Sequence, residues 1–154
     1  MGTELTYEEY LDRYPRLVRT NVGVSMLPLL RQGRDLFVVE KRGSGRSKVG
    51  DVVLYRRPPD KYVLHRIVEV REKDYVILGD NCAYREYGVT DDDILGVMTG
   101  FVRDGKQHTV TERGYRLYTF LWLRTAGLRI FAKRALGFVV GGINKALGRQ
   151  RTKA

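Results

Sequence analysis

A chain of 154 residues with one cysteine and a net charge of +10 is large enough for one domain with a sizeable core. Cys82 stands alone, which excludes an intrachain disulfide and with it a small scaffold held by cross-links. The charge is unevenly placed: residues 1–112 hold 18 basic and 18 acidic residues, whereas the last 42 hold 10 basic residues and no acidic one.

From the N-terminus, Thr6-x-x-Glu9 has the form of a capping box, and Tyr7, Tyr10, Leu11 and Tyr14 recur at helical spacing before Pro15. An amphipathic helix is expected within residues 1–20. Glu4, Glu8 and Glu9 occupy what would be the basic and then apolar start of a signal peptide, which argues against one. Residues 21–112 read as β-rich. Strand-like apolar or alternating runs fall at 36–41, 51–57, 62–70, 74–78 and 94–103, separated by Gly, Pro and Asp clusters. Arg42-Gly43-Ser44-Gly45-Arg46-Ser47 lacks the Gly-Lys-Ser/Thr end of a phosphate loop and reads as a hairpin connection.

Residues 113–154 form a basic, apolar tail. Tyr115, Tyr118, Phe120, Trp122, Leu128, Phe131, Phe138 and neighbouring aliphatics are interrupted by Arg124, Arg129, Lys133 and Arg134. The charge-free stretch 135–144 is ten residues, half of what a membrane crossing needs. One or two helices are expected, broken at Gly127 or Gly137, lying on an anionic membrane surface. The alternative is a helix packed on the protein's own core with its arginines in water. Large aliphatics alternating with the basic residues argue against nucleic acid, which favours a solvated basic arm. The tail's charge is expected to be separable from any site in residues 21–112.

Chemistry requires a nucleophile with a base near it. Ser25, in Gly23-Val24-Ser25-Met26-Leu27-Pro28, is the candidate nucleophile. Of the two histidines, His108 sits in a polar, turn-like stretch, whereas His65 interrupts an apolar strand pattern and is the better candidate base. Leu78-Gly79-Asp80-Asn81 adds a carboxylate. No Cys/His cluster suggests a metal, and no cofactor is implied.

These segments, in this order, resemble the signal peptidase and LexA-type superfamily of serine proteases, closest to the endoplasmic-reticulum type of signal peptidase. Members share a Gly-x-Ser-Met-x-Pro box, here at residues 23–28. A Gly-Asp pair follows, present as Gly33-Arg34-Asp35 with one residue inserted, and then a strand beginning Val49-Gly50-Asp51. The endoplasmic-reticulum type carries His-Arg, as in His65-Arg66, where bacterial enzymes carry Lys-Arg; Gly79-Asp80-Asn81 completes the set. The likeness spans residues 21–101.

The resemblance implies a mainly β fold, a coiled and partly barrel-like sheet, with helices confined to the two ends. It makes Ser25 the nucleophile and His65 the general base. The acid that orients the imidazole is either Glu86, at the offset where the family has aspartate, or Asp80 within the box. Gly23 stands where bacterial enzymes have a serine donor, leaving the Ser25 N–H for the oxyanion. Met26, Arg66 and Asn81 support the site, Arg66 as a brace against an acid such as Asp80. Where signal peptidases have a transmembrane anchor, this chain has only the short N-terminal helix. The expectation is therefore a serine endopeptidase cleaving a peptide or leader precursor after small residues, peripheral to the cytoplasmic face of a membrane. The competing expectation is a non-catalytic membrane-surface or partner-binding module on the same fold.

Overall fold

The computed structural model describes residues 5–146; residues 1–4 and 147–154, the extremities of the expected N-terminal helix and basic tail, lie outside the described residues. Thr6 caps α1 (Tyr7–Arg13) as its sequence predicts. Its hydroxyl accepts from the Glu9 N–H at 3.2 Å, and the Glu9 carboxylate accepts from the Thr6 N–H at 2.9 Å. The helix ends at Arg13, well short of residue 20, because Pro15 forces the residue before it into extended geometry. Residues Arg16–Thr20 instead form β1, a strand with one buried residue, Leu17. So little burial leaves almost no alternation to read in the sequence.

Seven further strands follow: β2 (Leu36–Lys41), β3 (Val52–Arg57), β4 (Lys61–Val70), β5 (Tyr75–Leu78), β6 (Glu86–Val89), β7 (Ile94–Arg103) and β8 (Lys106–Thr109). They make one antiparallel sheet in the order β1-β2-β7-β3-β4-β5-β6, with β8 paired to the far half of β7. The sheet is open, not closed into a barrel, since its outermost strands β1 and β6 do not meet. β6 is four residues long and β1 carries exposed arginines, both features that protect a free edge. Residues 42–51 are not a hairpin connection either: β2 and β3 flank β7 on opposite sides and run parallel to each other, so this segment is a crossover. His108, expected in a turn, lies on β8 just after the Asp104-Gly105 reversal and stacks on Phe101 at 4.9 Å.

Two apolar clusters cover the two faces of the sheet. Val52 and Leu54 of β3 join one, with Leu17, Met26, Leu29, Leu30, Val39 and Met98; Val53 and Tyr55 join the other, with Ile67, Tyr75 and Ile77. A strand buried on both sides loses the polar alternation of a one-sided sheet, which explains the unbroken apolar run at 52–55.

The tail folds as α2 (Arg113–Arg124) and α3 (Ala126–Ala146), broken at Thr125 and at neither expected glycine. In α2, Tyr115, Tyr118 and Trp122 are spaced to share a face that packs on the sheet domain, while Leu117, Phe120 and Leu121 face outward. In α3, Leu128, Phe131, Phe138 and Val139 are exposed. Among the described residues, no helix is long and apolar enough to cross a membrane.

Candidate active site

Met26 positions Ser25. Its side chain is buried in the core with Leu29 and Leu30, worth roughly 1.5–3 kcal/mol for the methionine alone, and its neighbour Ser25 is left half-buried at the surface. Gly23, at φ +89°, supplies the reversal that a side chain would strain. The loop is closed at its far end by Asp35, which takes hydrogen bonds from the Arg31 main chain and guanidinium and from Arg103. Burial works against the Asp35 carboxylate, but the two arginines outweigh it and hold its pKa down at about 2.

His65 lies on β4 opposite Val53, so it shares a sheet face with Tyr55 and Arg57. One step past the paired Arg66 and Leu78, its cross-strand neighbour is Gly79. A Cβ built on Gly79 would lie 2.8 Å from Nε2 of His65, 2.9 Å from the carbonyl oxygen of Ser25 and 2.6 Å from Sγ of Cys82. Glycine here is what lets the imidazole tip and the Ser25 main chain converge on one point.

The other ring nitrogen, Nδ1, lies 3.0 Å from Oε1 of Glu86 on β6. Glu86 is itself held on three sides: Tyr55 donates its hydroxyl at 2.7 Å, and Arg57 donates through Nε at 2.9 Å and Nη2 at 2.5 Å. Burial would raise the Glu86 pKa, yet the Tyr55 and Arg57 hydrogen bonds bring it below the ordinary carboxylate value. For His65, burial is the largest influence and pushes the pKa below its usual 6.5; Glu86 pulls it upward and Arg57 pushes it down again. A neutral imidazole beside an ionised carboxylate is the protonation state a general base needs.

Asp80, the other contending carboxylate, is engaged elsewhere. Arg66 follows His65 in the strand and so faces the opposite way, where its Nε and Nη2 meet both Asp80 oxygens at 2.8 Å. Tyr118 of α2 donates to the same carboxylate at 2.8 Å, and Arg66 also donates to the Gly50 carbonyl and the Thr119 hydroxyl. Burial opposes the charge on Arg66, but Asp80 more than compensates and raises its pKa. This is the brace expected of Arg66.

Asn81 ties the two loops together. Its N–H donates to the Ser25 carbonyl at 2.7 Å, and its side-chain amide to the Val24 carbonyl at 3.0 Å. The basic tail reaches the same box, contrary to the expectation that its charge is separable from the site. Trp122 and Arg129 donate to the Asp80 carbonyl at 3.1 and 3.0 Å, and Lys133 donates to the carbonyl and side-chain oxygens of Asn81. Arg129 also lies 3.7 Å above the Trp122 ring. The alternative of packing on the protein's own core therefore holds for the inner faces of α2 and α3.

Arg57, Tyr55, Trp122, Arg129 and Lys133 are participants that sequence reasoning missed. Tyr55 and Arg57 were visible as a same-face pair in a strand, but only the β3–β4 register brings that face to His65. Nothing in the sequence signals where the tail docks.

Ser25, Arg57, His65, Cys82, Tyr84 and Glu86 line an open cleft of about 730 Å³. The Cys82 thiol is pushed up by burial and by Glu86, so it is a poor nucleophile at neutral pH. Among the described residues, no three His, Cys, Asp or Glu side chains gather as metal ligands would. No protein-family model, curated protein or solved structure matches the chain.

Proposed function

We propose that the chain is a serine endopeptidase of the signal-peptidase type, with Ser25 as nucleophile, His65 as general base and Glu86 as the acid that orients it. The observation that carries this reading is the His65 ring, which meets Glu86 at Nδ1 and has its Nε2, like the Ser25 carbonyl oxygen, within 2.9 Å of one point beside Gly79, in a cleft that Ser25 also lines. In the proposed reaction, Ser25 Oγ attacks a peptide carbonyl as Nε2 takes its proton. The imidazolium, stabilised by Glu86, then protonates the leaving amine, and water repeats the sequence on the acyl-enzyme. The Ser25 N–H is the main-chain donor for the oxyanion.

The substrate class follows from the resemblance: a peptide or leader precursor with small residues before the scissile bond. The exposed face of α3, apolar and flanked by basic residues, supports peripheral binding to an anionic membrane on its cytoplasmic face.

Two experiments test these readings. A fluorophosphonate probe and a small-residue peptide library are presented, with liposomes, to the unsubstituted chain, Ser25→Ala and His65→Ala. Labelling and cleavage by the first alone support the peptidase; cleavage by none, or equally by all three, favours a non-catalytic binding module. For the membrane, removal of the tail is uninformative because α2 covers buried Arg66. Replacement of Leu128, Phe131 and Phe138 by serine in the full chain should abolish flotation with anionic vesicles, and undiminished flotation would refute that surface.

A further inference from the structure

Asn81 carries a carboxamide whose two ends are chemically opposite: the oxygen only accepts and the nitrogen only donates. Lys133 decides which end points where. Its ammonium is a donor without acceptor capacity, and it lies on the Asn81 side-chain oxygen as well as the Asn81 carbonyl. The amide nitrogen is thereby turned toward the Val24 carbonyl, 3.0 Å away.

The Val24 carbonyl and the Ser25 N–H belong to one planar trans peptide, in which C=O and N–H point in opposite directions. Holding the Val24 oxygen therefore fixes the direction of the Ser25 N–H. The same asparagine grips the Ser25 carbonyl through its own N–H at 2.7 Å, so it holds the planes on both sides of Ser25, the Val24 carbonyl also accepting from the Leu27 N–H at 3.2 Å. Lys133 is in turn placed by α3: Arg129, four residues earlier and on the same helix face, donates to the adjacent Asp80 carbonyl at 3.0 Å.

We propose that Lys133 and Asn81 are positioning residues for the oxyanion donor: Lys133 orients the Asn81 carboxamide, which aims the Ser25 N–H at the substrate carbonyl oxygen. This inference rests on the peptidase reading of Ser25. It gives one lysine of the basic tail a role that needs no membrane.

The test uses the full chain in lipid-free buffer and measures the second-order rate of Ser25 labelling by a fluorophosphonate, whose phosphoryl oxygen occupies the oxyanion position. Lys133→Met should slow labelling about 10- to 100-fold, the order of loss that follows from a small misplacement of a reacting group. Lys133→Arg, still a donor, should recover most of the rate. Lys133→Glu should be slower than Lys133→Met, because an acceptor at 133 draws the amide nitrogen to itself and turns the Asn81 oxygen on the Val24 carbonyl. Arg124→Met, which removes the same charge from an exposed site on α2, should label at the unsubstituted rate.

Asn81→Ala should be as slow as Asn81→Ala combined with Lys133→Met, since the lysine acts through the asparagine. The acid limb of the rate profile should stay in place throughout, His65 being unaffected. Thermal unfolding identifies any variant that has lost its fold. Equal rates for the methionine and glutamate variants, or an unsubstituted rate for Lys133→Met, would overturn the inference while leaving Ser25 reactive. Failure of the unsubstituted chain to label would overturn the peptidase reading and this inference together.

Discussion

Arg57–Glu86 and Arg66–Asp80 are both arginine–carboxylate pairs, each linking an arginine of the β3–β4 hairpin region to a carboxylate beyond it. One lies in the cleft, with the arginine about two-fifths and the carboxylate about one-quarter exposed, and leaves an oxygen facing an imidazole. The other is 1% exposed on both partners, and further hydrogen bonds tie it to Gly50 and to Tyr118 and Thr119 of α2. A charge pair that water still reaches can tune a neighbour, whereas one sealed under a helix can only hold segments together. Breaking a buried pair strands a charge, which is costly, while an exposed one is worth little to stability. The two pairs should therefore fail in different observables.

The largest contrast is in rate. Glu86→Gln should lower turnover about 10³- to 10⁴-fold, by analogy with loss of the orienting carboxylate in a serine triad, with little change in unfolding. A rate within tenfold of the unsubstituted chain would remove Glu86 from the site. Asp80→Ala should do the reverse, costing about 3–5 kcal/mol of unfolding free energy because Arg66 is left buried and unpaired. Denaturant unfolding measures it, and a loss below about 1 kcal/mol would mean that water reaches Arg66.

Smaller still is Tyr118→Phe, which deletes one hydrogen bond to Asp80 and should cost about 1–2 kcal/mol. Asp80 should be the more sensitive partner: Tyr55→Phe removes a bond of similar length from the more exposed Glu86 and should cost less stability.

The subtlest effect is on pH dependence. The His65 pKa lies below 6.5, so the unfolded chain binds a proton first as pH falls, and stability contributed by the neutral imidazole is lost below pH 6.5. Activity should have an acid limb below the same value. Arg57→Gln should move that limb upward by removing a positive neighbour, and Glu86→Gln should move it downward in whatever activity remains. Shifts of the same sign in both variants would contradict the opposed influences of the two residues on the ring.

Much of this was legible in the residues. The capping box and the five strands richest in buried residues follow from local pattern, and the candidates Ser25 and His65, with Glu86 and Asp80 as contending acids, from motif order. Which carboxylate reaches His65 was not, because Asp80 and Glu86 are both close in sequence and chemically alike. The choice is made by alternation in β4: His65 and Arg66 face opposite ways, and each takes the acid on its own side. β1, β6 and β8 were missed because strands of four or five residues with few buried positions carry no periodic signal. The tail's inward face was missed because its partners lie about 50 residues upstream.

The loop that carries Ser25 has a temporal consequence. Its anchor Asp35 depends on Arg103, and its turn depends on Asn81, which depends on Lys133. During synthesis, a ribosome that has released residue 25 must still add more than a hundred residues before the last of these ties exists. The serine is thus among the first of these parts to emerge and among the last to be fixed. A nascent chain cannot present a finished cleft to its neighbours, and stalled chains ending before residue 103 should be inert to an active-site probe that labels the released protein.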